Sequence, residues 1–273
     1  MAASMHHAPE SNLAVLSPPY EQFVGINHEW DPVHHPPRGA AIVWWLIDGA
    51  SQESDFHWLS RRPHGVPLFV VLPHPSKLRQ AMPILPYINA LAPRAILPAG
   101  PLISAHNITS MLRLPPGQLH SAVVSYLCRR DLLRSAETRN HVLRIFSAAS
   151  EVTSVTRLAK KIATSRRTLG RRFEVLGLPV PSHWLQFARL LRAVTYMHMD
   201  SNVTVHKAAV RVGYPDGFTM SNQMKRLLDC RPSEIRGCYG WEWIVEQWIM
   251  CEVRSGGIDT IRYRSAVAPY LRS

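Results

Sequence analysis

Ser165-Arg166-Arg167-Thr168-Leu169-Gly170-Arg171-Arg172-Phe173 is the run on which the reading of this chain turns. Leu169, Phe173 and Leu176 recur at i, i+4 and i+7, so they line one face of a helix and pack inward. Arg166, Arg167, Thr168, Gly170 and Arg171 are then left near the helix N-terminus, mostly facing away from the core, with Ser165 as N-cap. Upstream, Val155, Leu158, Ala159 and Ile162 trace the apolar stripe of a shorter helix, and Ala163-Thr164 is a brief turn. Gly177 stops the longer helix. A short helix, a tight turn and a second helix with a basic outer face is the layout that lays its second helix in a DNA major groove. Arginine suits that place, because its fork grips guanine O6 and N7 with two donors.

Downstream the pattern repeats. Pro179-Val180-Pro181 leads to Ser182, the expected cap of a long helix reaching about Met199. Leu185, Arg189, Leu190, Ala193 and Met197 mark its buried side, where Arg189 is expected to form a structural ion pair. Roughly 18 residues at ~1.5 Å each give ~27 Å, a strut suited to two readers about one DNA turn (~34 Å) apart. Thr204 caps a short helix with Val205, Ala208, Ala209 and Val212 as its apolar set, Gly213 turns the chain and Tyr214 plugs the core. Pro215-Asp216 open a second candidate recognition helix to about Leu228, with Met220, Met224 and Leu227 inward. Gly217, Phe218, Ser221, Asn222 and Lys225 face out, with Arg226 beside them.

Charge agrees with this placement. Residues 150–236 carry fifteen Lys/Arg against six Asp/Glu, a balance of +9 within a chain total of +12. Residues 1–134 hold ten basic and eight acidic residues, only +2. A basic module beside a nearly neutral one points to a polyanionic partner. Arg226 and Lys225, with the helix N-terminus, are read as phosphate contacts and Arg167 and Arg171 as base contacts.

These positions together resemble the AraC/XylS family of transcriptional regulators. The resemblance covers about residues 150–236 and is carried by Leu158-Ala159, Ser165, Leu169, Arg171 and Phe173, then Gly177, Pro181, Leu185, Arg189-Leu190, Ala193 and Ala209. Val212-Gly213-Tyr214, Ser221, Lys225-Arg226, Pro232 and Arg236 complete it. It implies a seven-helix domain with two helix-turn-helix units and, usually, a sensing or dimerising domain at the other end. Three positions depart: Met220 and Met224 stand where the family usually has phenylalanine, and Asp229 where it usually has glycine.

The rest of the chain reads differently. Seventeen of the 22 prolines lie at or before Pro116, which marks a boundary. Residues 1–39, punctuated by His6-His7, Pro18-Pro19 and His34-His35-Pro36-Pro37, are expected to be poorly ordered, and the paired histidines are not read as a metal site. Residues 40–116 alternate apolar runs (41–47, 67–72, 94–97) with helical stretches near 55–61 and 77–91, the latter interrupted by Pro83 and Pro86. That alternation predicts a small three-layer α/β domain for sensing or interaction. Its outline is similar to a degenerate response-regulator receiver, in which Asp48 would end a strand where a phosphate acceptor sits, although the acidic pair and the terminal lysine are missing. A linker helix is expected over 117–136 and the all-α DNA-binding domain over 137–237, its first helix carrying Val142, Ile145 and Phe146. In the C-terminal extension, 238–273, Trp241, Ile244, Val245, Trp248 and Ile249 predict an amphipathic helix clasping the DNA-binding domain or the linker, while 255–273 read as loosely structured.

The expected function is a sequence-specific transcription regulator whose partner is double-stranded DNA, with RNA polymerase and a second copy of the chain as further partners. Two alternatives stand beside it: a phospho-responsive regulator with a receiver-like sensor, and a protein that binds DNA by charge alone. No enzyme is expected, since motifs such as GxSxG or HExxH are absent, and no cofactor is called for. No apolar run nears the ~20 residues of a membrane helix, no leader pattern is read, and the four scattered cysteines suit reduced thiols, so a cytoplasmic setting is expected.

Overall fold

The computed structural model describes residues 11–27, 37–46, 52–100 and 103–271. The chain divides into two compact units, Met1–Arg113 with Gly237–Trp243, and Leu114–Arg236 with Ile244–Ser273.

The first unit is built on a five-stranded sheet of β1 (Leu13–Leu16), β2 (Val24–Ile26), β3 (Ala41–Trp45), β4 (Leu68–Val71) and β5 (Ala95–Leu97), ordered β2-β1-β3-β4-β5. The three apolar runs form β3, β4 and β5, and these pair in parallel, β3 with β4 and β4 with β5. Continuous apolar sequence is needed there because both faces are covered. Ile42, Trp44, Leu68 and Val70 pack with Leu59, Ala81 and Ile88, which belong to α1 (Gln52–Ser60), α2 (Leu78–Ala81) and α3 (Leu85–Ile88). Ala41, Val43, Phe69 and Val71 pack on the other face with Ile108 and Leu112 of α4 (Ala105–Arg113). The helical stretch with Pro83 and Pro86 is broken into α2, α3 and 3-10 turns, as two prolines require.

Two expectations need correcting. Residues 1–39 are not uniformly unstructured: β1 and β2 lie within them, with Leu13, Ala14, Val15 and Leu16 all buried. Strand β1 runs antiparallel to both β2 and β3, so the sheet is mixed and extends past the three runs that sequence singled out. Asp48, His6-His7 and His34-His35 lie outside the described residues. The segment just after Arg236 belongs to this unit. Tyr239 stacks on Tyr20 at 5.0 Å, and the Tyr20 hydroxyl accepts from the Tyr239 N–H (2.7 Å) while donating to the Gly39 carbonyl (2.9 Å). Glu242 holds Arg94 at 2.6 and 2.7 Å.

The second unit is helical: α5 (Leu119–Arg129), α6 (Ala136–Ala148), α7 (Val155–Lys161), α8 (Arg166–Leu176), α9 (Pro181–Met199), α10 (Val205–Arg211), α11 (Gly217–Leu228) and α12 (Pro232–Arg236). Helix α13 (Trp241–Arg254), which belongs to this unit from Ile244 on, and α14 (Arg264–Val267) follow. Helix α9 is the centre, packing against α6, α7, α8, α10, α11 and α12. It begins one residue before the expected Ser182 cap, with Pro181 in its first turn, where a missing N–H costs nothing. No helix among the described residues is long and apolar enough to cross a membrane.

Candidate nucleic-acid interface

Two helix pairs carry the predicted site residues. In the first, Ser154 caps α7 by accepting from Arg157 N–H, and Ser165 caps α8 by accepting from Thr168 N–H at 3.0 Å. The turn between them places Ala163 at φ 54°. In the second, Thr204 caps α10 and Asp216 caps α11, accepting from Thr219 N–H at 2.6 Å. The matching turn uses Gly213 at φ 83°, where a Cβ would also come within 2.7 Å of Thr153. Both turns therefore need the left-handed backbone that favours glycine, and only the second supplies one. The hydrogen bond from Thr219 N–H holds the Asp216 carboxyl below the usual carboxylate range.

Leu169 and Phe173 are buried under α8, as are Met220, Met224 and Leu227 under α11, so the inward assignments hold at these positions, whereas Leu176, near the end of α8, is only half-buried. The methionines fill the volume that larger aromatic rings would. On the outer face of α8, Arg166, Arg167 and Arg171 are exposed and have no hydrogen-bond or ion-pair partner among the described residues. Arg172 differs: its guanidinium meets His141 Nε2 at 2.7 Å and the Glu137 carboxylate at 3.4 Å. The Thr168 hydroxyl is taken up by Ser165 at 2.8 Å.

The basic residues of α11 are engaged. Lys225 pairs with Asp229 at 2.5 Å, which holds its ammonium protonated to higher pH than usual. Arg226 donates to Gln186 at 2.9 Å and to Gln223 at 3.2 Å. Phe218 is 76% exposed, Asn222 is exposed, and the Ser221 hydroxyl donates to the Gly217 carbonyl at 2.6 Å. Asp229 caps α11 at φ 48°, a left-handed position where a glycine would be unstrained. Gly217 is not an open outward position, because a Cβ there would meet the His206 backbone N at 3.2 Å.

Several residues prove structural. Arg189, expected in an ion pair, is 6% exposed but donates Nε–H to the Val212 carbonyl (2.9 Å) and lies 4.1 Å over the Tyr214 ring. A backbone carbonyl and a π face satisfy it without burying a second charge. Arg236 ties the loop before α10 by donating to Ser201 O (2.8 Å) and Val203 O (2.6 Å).

From Ile244 onward the C-terminal extension is part of this unit's core. Trp248 is fully buried, stacks on Phe187 of α9 at 4.4 Å and 3°, and meets Trp184 at 4.5 Å. Glu246 accepts from Arg130 Nε (2.7 Å) and from the Tyr126 hydroxyl (2.7 Å), and Glu252 meets His183 Nδ1 at 3.0 Å. Residues 255–273, read as loosely structured, bury Ile258, Tyr263, Ala266 and Val267 and include α14.

This tail also completes the end of α8. The Gly177 and Leu178 N–H groups close on Glu174 O and Phe173 O, which leaves the next three carbonyls needing donors. Val175 O receives Arg262 Nη1 (2.5 Å), Leu176 O receives the Tyr263 hydroxyl (2.9 Å), and Gly177 O receives Asp259 N–H (2.8 Å). Sequence patterning missed these donors because three polar contacts to backbone leave no hydrophobic period.

Comparison with known proteins agrees with the helical unit. A family model described as a helix-turn-helix domain matches residues 158–237. No curated protein matches the chain, and no solved structure does. Residues 158–237, from within α7 to just past α12, are an AraC-type helix-turn-helix domain, and that domain supports a role in DNA-binding transcription regulation.

Proposed function

We propose that the protein binds DNA sequence-specifically, with α8 and α11 entering successive turns of the major groove and α9 bracing them. The observation that carries this is the contrast between the two outer faces. On α8, Arg166, Arg167 and Arg171 are exposed with no protein partner among the described residues. On α11, Lys225 and Arg226 are already held by Asp229 and Gln186. Free guanidiniums on a helix clamped at both ends can adapt to base edges. Pre-positioned cations suit the fixed spacing of phosphates, which set register without reading sequence. Base reading is therefore assigned chiefly to Arg167 and Arg171, phosphate holding to Lys225 and Arg226, and contact with a thymine methyl to Phe218.

Selection from a random duplex pool tests this. The expected result is an enriched motif in two parts about 10–10.5 bp apart, the spacing of two readers on one face of the duplex. Arg226→Ala should weaken all duplexes alike and lower the salt slope by about one unit. A pool that stays unenriched through repeated rounds, while binding remains tight and salt-sensitive, would mean that charge alone holds the DNA.

A further inference from the structure

The described helices contain two glycines, Gly170 within α8 and Gly217 at the first position of α11. Gly217 has a reason in the fold. A side chain there would press on the His206 backbone, with a Cβ 3.2 Å from its N and 3.4 Å from its Cα, so α10 and α11 meet over a bare position. Gly170 has no such reason. A Cβ at 170 meets nothing within 4 Å, and the residue sits in the middle of a regular helix. Glycine there only weakens the helix, because it gives up more chain freedom on folding than alanine does. The intramolecular structure makes no use of the missing side chain.

What surrounds Gly170 suggests the use. The bare backbone is the floor of an open concavity ringed by Arg166, Arg167 and Arg171, with Glu174 closing one side. Gly170 lies four residues after Arg166 and four before Glu174, so the three share one helix face, and Arg167 and Arg171 flank it. Glu174 also indicates which part of a duplex fits. A carboxylate repels phosphate but accepts from the amino group of cytosine, whereas the arginines donate to guanine. A base-pair edge meets both demands, and the sugar-phosphate backbone does not.

We infer that Gly170 is a close-approach position, at which a base-pair edge lies directly against the backbone of α8 while the surrounding arginines reach its neighbours. The inference rests on the DNA-reading role proposed above for α8. A side chain at 170 would hold the duplex away by its own thickness and carry Arg167 and Arg171 off their bidentate geometry. Position 170 then acts in specificity through what is not there.

The test uses the full chain carrying Gly170→Ala or Gly170→Leu, with a duplex enriched by the wild type and a scrambled duplex of equal length. Both variants should melt at a higher temperature than the wild type, since each is a better helix former in open space. Gly170→Leu should bind the enriched duplex about 5- to 150-fold more weakly, the span for losing one bidentate arginine contact. Gly170→Ala should fall between, and binding to scrambled duplex should change little for either. Leucine binding the enriched duplex as tightly as glycine, or losing the same factor on both duplexes, overturns the inference. So does a lowered melting temperature for both variants, which would reveal a packing role for the bare position. Failure of the wild type to enrich any duplex would sink the proposed reading itself, and this inference with it.

Discussion

Replacing Trp248 separates a decorative C-terminal helix from one that holds the DNA-binding unit together. Its side chain is fully buried, stacked on Phe187 at 4.4 Å and against Trp184 at 4.5 Å, so α13 fills the space beside α9. Truncating a buried tryptophan to alanine costs about 3–5 kcal/mol, from lost transfer energy and the cavity left behind. The Trp248 Nε1–H complicates the comparison, because it is buried with no hydrogen-bond partner among the described residues. An unpaired buried donor costs about 1–3 kcal/mol, and phenylalanine would remove that donor while keeping the stack on Phe187. A void of about 40 Å³ left by the smaller ring costs about 1 kcal/mol at ~24 cal/mol per Å³, with some lost transfer energy added. The two effects nearly cancel, so Trp248→Phe should stay within about 1 kcal/mol of the wild type. Urea unfolding followed by far-UV circular dichroism reads both variants. With a slope of about 2 kcal/mol per molar, alanine should lower the midpoint by about 1.5–2.5 M and phenylalanine by about 0.5 M or less. An alanine variant that unfolds with the wild type would refute the reasoning, since α13 could not then be a core element. Equal, large losses for both would show that the indole nitrogen has a partner.

Three other outcomes follow from the same unit. Glu246→Ala strands the Arg130 guanidinium, whose side chain is 3% exposed, and removes an acceptor of the Tyr126 hydroxyl; removing one partner of a buried pair costs about 3–5 kcal/mol, and unfolding of the wild type and variant within 1 kcal/mol would contradict it. The Tyr214 hydroxyl is buried with no partner among the described residues, and burial pushes its pKa from 10.0 up to about 12. A raised folded pKa gives stability that is complete below pH 10 and lost as pH climbs toward 12, worth about 2–3 kcal/mol. Tyr214→Phe should therefore match or exceed the wild type at neutral pH and hold its stability better through that window; parallel pH curves for the two would contradict this. Ending the chain at Gly257 removes the donors to Val175, Leu176 and Gly177 carbonyls. Melting temperature and DNA affinity should fall together, and an unchanged affinity would show that α8 does not need its tail.

How much of this was legible in the sequence depends on whether a feature is local. The two helix pairs could be read because their signals lie within a few residues: Ser165, Thr204 and Asp216 as caps, Gly177 and Gly213 as stops, and apolar positions at i, i+4. The strands β3, β4 and β5 showed as apolar runs because both their faces are buried. Strand β1 escaped notice because four residues, Leu13–Leu16, give too short a run beside Pro18-Pro19. What could not be read depends on partners far along the chain. Arg189 looked like half of an ion pair, yet a carbonyl and a tyrosine ring serve it. Gly170 and Gly217 look alike in sequence as bare outward positions, but in the fold one is open and the other is packed. Residues 255–273 read as a loose end, whereas Asp259, Arg262 and Tyr263 reach back about 85 residues to the end of α8.

The central claim is that α8 reads bases through its unpaired arginines. Its most direct measure is the ratio of affinities for the enriched and the scrambled duplex, determined for the wild type and for Arg171→Ala at several salt concentrations. The account predicts that Arg171→Ala loses about 1–3 kcal/mol on the enriched duplex and much less on the scrambled one, so the ratio collapses. Equal losses on both duplexes, with the ratio intact, would contradict it.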